Sequence, residues 1–148
     1  MLVPTKILVP TDFSEYSDKA LGQAFDIAKQ YNAKVFLLHV VHQDIYSTGL
    51  AFTLSEEAVQ QIKDGTVPWA QESLQKQLDS FPQANEVEVV TNVRQGVPYE
   101  EILKEGKEKG IDLIVIASLG RSGIAKYLIG SVARNVLKGS KCPVLLTK

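Results

Sequence analysis

The chain has 148 residues, 45% of them hydrophobic, with one Cys and a formal net charge of −1. A chain of that length fits one domain, residues 1–148, and buries about 68–70% of its unfolded surface without help from disulfides or metal. Balanced charge argues against nucleic acid as the main partner, a lone Cys cannot form an internal bridge, and no apolar run reaches the ~20 residues that span a bilayer.

The first candidate element is Lys6 to Pro10, KILVP, a short apolar run that reads as a buried strand and leads into Thr11 and Asp12. Ser14 or Ser17 then caps a helix running to about Tyr31. Its Ala20, Leu21, Ala24, Ile27, Ala28 and Tyr31 recur every three or four residues and form one apolar face. Asn32 and Ala33 end that helix, and Lys34 to Val41, KVFLLHVV, is the second buried strand. A polar, glycine-containing stretch from Gln43 to Leu54 follows. Ser55, Glu56 and Glu57 start a second helix, with Ala70, Leu74, Leu78 and Phe81 as its stripe and Pro68 expected to kink or interrupt it.

From Glu86 to Arg94 the residues alternate, with Val87, Val89, Thr91 and Val93 on one face of a third strand. Pro98 suits the first position of a third helix, which Gly110 ends. Asp112 to Ser118 is the most apolar strand. A glycine-containing loop comes next, then a helix from about Ser131 to Leu137 and a last strand, Pro143 to Thr147. Strands that read as continuous apolar runs and alternate with helices make a parallel sheet covered on both faces. The expected fold is a five-stranded, doubly wound, Rossmann-like α/β domain.

In such sheets ligands bind beyond the carboxyl ends of the strands, where strand order reverses. Three segments end there: Pro10–Asp12, Val40–His42 and Ala117–Ser131. Gly120, Gly123 and Gly130 allow positive φ and close approach of backbone to a ligand. Ser131 opens a helix whose free N–H groups suit an anion, and its hydroxyl adds a donor. Arg121 and Lys126 either add charge or are solvated surface. The plainer alternative is that Gly120 and Gly123 turn the chain while Ser131 caps a helix. Asp12 has two roles open as well, a ribose partner or an acceptor of backbone N–H groups in its own turn, and Thr11 satisfies local backbone if it is not part of the site.

The remaining reactive residues carry less. His39 and His42 are three apart on a strand and point to opposite faces, so they do not share a metal ion; His39 reads as a core histidine and His42 as a border of the pocket. Cys142 has no neighbour beyond Lys141 to stabilise a thiolate, and Trp69 reads as packing or interface.

Several segments resemble the universal stress protein family, in its order: ILVPTDFSEYSDKAL, AKVFLLHVV, GVPYEEIL, DLIVIASLGRSG and LIGSVARNVLKGSKCPVLL. Nucleotide-binding members carry G-x2-G-x9-G-S/T after the fourth strand. Here Gly120, nine residues, and Gly130-Ser131 complete that pattern, with Ala117 at its first position and Leu119 where a His is common. The resemblance implies an adenine nucleotide alpha hydrolase-like fold that binds ATP, or AMP or ADP, with Mg²⁺ held through the phosphates. It gives Asp12 to the ribose hydroxyls, Val40 or Val41 to the adenine edge, Ala117 to the ribose or α-phosphate, and Gly120, Gly130, Ser131 and Val132 to the phosphates. It also implies a homodimer through Pro143 to Thr147, and it includes members that bind no nucleotide.

Rival enzymes fail on their motifs. A phosphate-binding loop of the form G-x4-G-K-S/T does not occur. Ser118 lacks the first glycine of a nucleophile elbow, and both histidines precede it. A phosphorelay receiver needs an acidic cluster that Asp12 alone does not supply, and adenylyl transfer needs paired histidines after the first strand. No general base is evident, so at most slow ATP hydrolysis is expected. The principal expectation is a nucleotide-binding regulatory module in a stress response, read by an unidentified protein partner. The alternative is a nucleotide-free dimeric adaptor of the same fold. The segment MLVPTKILVP has no signal-peptide character, no membrane association is expected, and a reducing cytoplasm is the expected location.

Overall fold

The computed structural model describes residues 1–42, 53–120 and 129–148. Arg121, Gly123 and Lys126, and most of the polar stretch from Gln43, lie outside the described residues. Five strands form one parallel sheet in the order β3-β2-β1-β4-β5, namely β1 (Lys6–Pro10), β2 (Lys34–His42), β3 (Val89–Gly96), β4 (Leu113–Ala117) and β5 (Val144–Thr147). The helices are α1 (Glu15–Tyr31), α2 (Glu56–Asp79), α3 (Pro98–Lys109) and α4 (Ser131–Gly139).

The chain runs outward from β1 through β2 to β3, then returns to the other side of β1 for β4 and β5. That reversal puts α1 and α2 on one face and α3 and α4 on the other. One core joins Ile7, Val9, Val35, Leu37 and Val115 to Leu21, Phe25 and Leu74. The second joins Leu8, Phe36, Leu38, Ile114 and Ile116 to Ile102, Ala133 and Val136. Each central strand therefore buries both of its faces, which is why it reads as an unbroken apolar run instead of an alternating one.

Local signals place the ends of the helices. Ser14 caps α1 by accepting from the Ser17 amide at 3.2 Å, so of the two candidate serines Ser14 is the cap. Asn32 closes the helix in the left-handed region at φ 55°, a conformation Asn tolerates better than most residues. Gly110 does the same for α3 at φ 66°.

Of the two effects expected of Pro68, interruption does not occur: α2 runs from Glu56 to Asp79 with the proline inside it; proline removes a single helical hydrogen bond, and buried Ala70 and Leu74 anchor the following turns. The third strand starts at Val89, later than expected, because Pro82 opens a 3-10 turn through Glu86.

Candidate functional site

A cleft of about 360 Å³ opens at the carboxyl ends of β1, β2 and β4, bounded by the first turns of α3 and α4. It lies at the reversal of strand order, where the crossovers leave β1 and β4 diverging. Of the residues singled out in the sequence, Pro10, Thr11, Asp12, Val40, Ala117, Gly120, Gly130, Ser131 and Val132 line it.

Asp12 stands at the exit of β1. Its Oδ1 accepts from the Ser14 amide at 3.0 Å, which is the local role open to it from sequence. Its Oδ2 faces Gly120 so closely that a methyl group there would come within 2.6 Å of it. Asp12 therefore makes the turn and borders the cleft at once. Gly120 and Gly130 do not use the positive φ open to a glycine; among described glycines only Gly96 and Gly110 do. They matter for close approach instead: the Gly130 amide donates to the Ser118 carbonyl at 2.7 Å, and a Cβ on Gly130 would lie 3.2 Å from that oxygen.

This bond draws β4 and α4 together and aims the start of α4 at the cleft. The Arg134 amide is the donor to Gly130 O at 3.0 Å, so the amides of Ser131, Val132 and Ala133 precede the helical ladder. They carry the positive end of the α4 dipole, with no acidic side chain in that first turn to compete for them.

Thr11 borders the cleft, and its hydroxyl is taken up by neighbouring side chains. The hydroxyl is 3.0 Å from both Ser17 Oγ and Gln77 Oε1, and it accepts from the Phe13 amide at 3.1 Å. Ser17 Oγ donates to Ser14 O at 2.8 Å, and Gln77 Nε2 to Asp18 Oδ1 at 2.8 Å. This buried network ties the β1–α1 turn to α2. Within that turn Phe13 is held at φ 64°, strained for a residue with a side chain. Its ring lies 4.5 Å from His39 and edge-on to Trp69 at 5.6 Å. His39 Nδ1 meets Thr11 O at 2.8 Å, and the side chain is satisfied but half-buried, at the margin of the core and not within it. Trp69 packs there while remaining 50% exposed.

Val41 is not among the lining residues, because strand alternation sends it to the face opposite Val40. His42, at the exposed end of β2, does not line the cleft either. Sequence reading missed Leu38, Ile116, Pro98 and Ile102. Leu38 was accessible through its period-two relation to Val40; Pro98 and Ile102 come from α3, which only the packing brings across the sheet. The cleft thus has an apolar end, formed by Leu38, Val40, Pro98 and Ile102, and a polar end at Asp12, Gly120 and the α4 amides. Among the described residues no group of three or more His, Cys, Asp or Glu is placed to hold a metal ion, and no helix is long and apolar enough to cross a membrane.

Comparison with known proteins gives a consistent result. Residues 4–148 match the model of the universal stress protein family. Universal stress protein MJ0531 of Methanocaldococcus jannaschii is 35% identical, over 97% of this chain and 81% of the relative. Universal stress protein MJ0577 of the same organism is 31% identical over 97% of this chain and 94% of its own length. The solved structure of MJ0577 covers 99% of this chain and 97% of that one with a TM-score of 0.84. The fold is shared as well by a universal stress protein in complex with cAMP (23% identity, TM-score 0.69, covering 99% of this chain and 98% of that one) and by one from Archaeoglobus fulgidus in complex with dAMP (20%, 0.59, 99% and 100%).

Proposed function

The chain belongs to the universal stress protein family, and from that premise we propose that its cleft binds an adenine nucleotide, ATP or a shorter relative, and that the protein acts as a regulatory module. One observation carries the reading: a single cleft joins an apolar end able to take a base to a helix start able to take phosphates. The base lies against Val40, Pro98 and Ile102. The ribose hydroxyls donate to Asp12, and the phosphates accept from the amides of Ser131 and Val132 with the Ser131 hydroxyl beside them. The two distant relatives in complex with cAMP and dAMP support an adenine ligand.

In this reading any Mg²⁺ is held through the phosphates of the nucleotide. Regulation follows if two conformations of the protein differ in nucleotide affinity and a partner reads their ratio. A homodimer through β5 belongs to the same reading: β5 is an edge strand whose Leu145 is 37% exposed, and an open edge invites pairing.

The direct test is to denature freshly purified protein, identify any released nucleotide by mass spectrometry, and titrate nucleotide-free protein with ATP, AMP and cAMP by calorimetry. Saturable binding of an adenine nucleotide is expected; no retained nucleotide and no heat would leave the nucleotide-free adaptor. Binding should also be visible in fluorescence. Trp69 is the sole tryptophan and sits edge-on to Phe13, the residue after Asp12. Ligand contact at Asp12 is expected to change Trp69 emission, with a midpoint equal to the calorimetric dissociation constant. Emission that stays flat through a calorimetrically saturating titration would separate Trp69 from the site.

A further inference from the structure

We infer that Arg94 and Glu101 are positioning residues for the base end of the cleft: the Arg94–Glu101 pair fixes how closely α3 approaches β2, and so how firmly the base is held. This rests on the nucleotide reading above. In the β2–β3 register Arg94 is the partner of Val40, which lines the cleft. Arg94 Nε donates to Glu101 Oε2 at 2.8 Å, and Nη1 to Glu105 Oε2 and Glu108 Oε2, each at 2.9 Å. These acids lie at i, i+4 and i+7, on one face of α3. Glu105 is 1% exposed, and Asn92 Nδ2 donates to it at 3.0 Å.

Glu101 is the contact nearest the cleft. Pro98 lies one turn before it and Ile102 directly after it, and both line the apolar end. Glu101 is also pressed onto the end of β3, because a Cβ on Gly96 would come within 2.9 Å of its Cγ and Oε1. The first turns of α3 therefore cannot slide or lift without breaking the Arg94 pair or losing that close packing. Dispersion contacts to a flat base are steep in distance, since a gap of about 0.5–1 Å forfeits a quarter to a half of each.

The test compares Glu101→Gln with Glu100→Gln in nucleotide-free protein, by calorimetric titration with ATP well below each unfolding temperature. Glu100 is the exposed neighbour that accepts from the Tyr99 hydroxyl at 3.2 Å. It loses the same charge on the same turn without touching Arg94. Glu101→Gln, which keeps an acceptor but loses the charge, is expected to weaken ATP binding about fivefold, the size of the charge assistance lost from one hydrogen bond, and Glu100→Gln to leave it within about twofold. Should Glu101→Gln not fold, Glu101→Asp, which keeps the charge and shortens the reach, replaces it with the same expectation. Unchanged affinity in the Glu101 variant, or equal weakening in both, overturns the positioning role. If the unaltered protein binds none of ATP, AMP and cAMP, the nucleotide reading falls and this inference with it; if it binds AMP or cAMP in place of ATP, the same comparison is made with that nucleotide.

Discussion

Gly120→Ala is expected to weaken adenine-nucleotide binding as much as Asp12→Ala does, and the double variant to be no weaker than either. Both changes take the same carboxylate out of position. Removing it outright loses a hydrogen bond between a charged acceptor and the ribose, about 1.5–3 kcal/mol, or roughly 10- to 150-fold in affinity. Adding a methyl at position 120 places carbon 2.6 Å from Asp12 Oδ2. Asp12 cannot simply swing aside, because its other oxygen accepts from the Ser14 amide at the start of α1. With Ala at position 12 that clash is gone, so the second substitution has nothing left to remove. Calorimetry on the two single variants and the double variant measures this coupling. Strict additivity, or a Gly120→Ala protein with unaltered affinity, would show that position 120 does not act on the ligand through Asp12 Oδ2.

The largest effect on stability is expected from Arg94→Met. Methionine retains an apolar stem but removes the guanidinium, stranding Glu105 at 1% exposure with Asn92 as its remaining partner. Breaking a buried pair from one side costs about 3–5 kcal/mol, which for a chain of this size lowers the melting temperature by roughly 10 °C. The loss depends on pH in a defined direction. Arg94, and after it Lys104, hold the Glu101 carboxyl below its ordinary range, and Arg94 does the same for Glu108. A carboxyl depressed by folding stabilises the native state above its unfolded value, about 4.3. That contribution fades as pH falls through the depressed folded values. The stability gap between the native protein and Arg94→Met should therefore be widest near neutral pH and narrow below about pH 4. Urea unfolding at the two pH values checks it. A gap that is constant or grows on acidification would mean that these carboxylates are not what Arg94 stabilises.

Much of the architecture was legible in the chain itself. Central strands buried on both faces must be apolar throughout, and Lys6–Pro10, Val35–Leu38 and Leu113–Ala117 are visibly so or nearly so. Caps and breakers act within a few residues, so Ser14, Asn32, Pro98 and Gly110 marked helix ends correctly. The alternation of strands with helices then leaves few topologies, because parallel connections are right-handed. The same locality explains the errors. Pro68 carries a strong local signal against helix, yet the turns that follow it are held by buried Ala70 and Leu74.

The site divides in the same way. Asp12, Gly120, Gly130 and Ser131 lie in short segments whose position after a strand already announces them. Sequence alone determined the order of the elements, the apolar faces and which loops share the carboxyl edge of the sheet, since these follow from periodicity and chain direction. Tertiary structure decided which side chains from distant segments meet. It put Pro98 and Ile102 across from Val40, joined the Thr11 hydroxyl to Gln77, set Gly120 against Asp12, and buried Glu105 under Arg94. Those pairings depend on how helices settle on a twisted sheet, and spacing along one strand or helix carries no record of that.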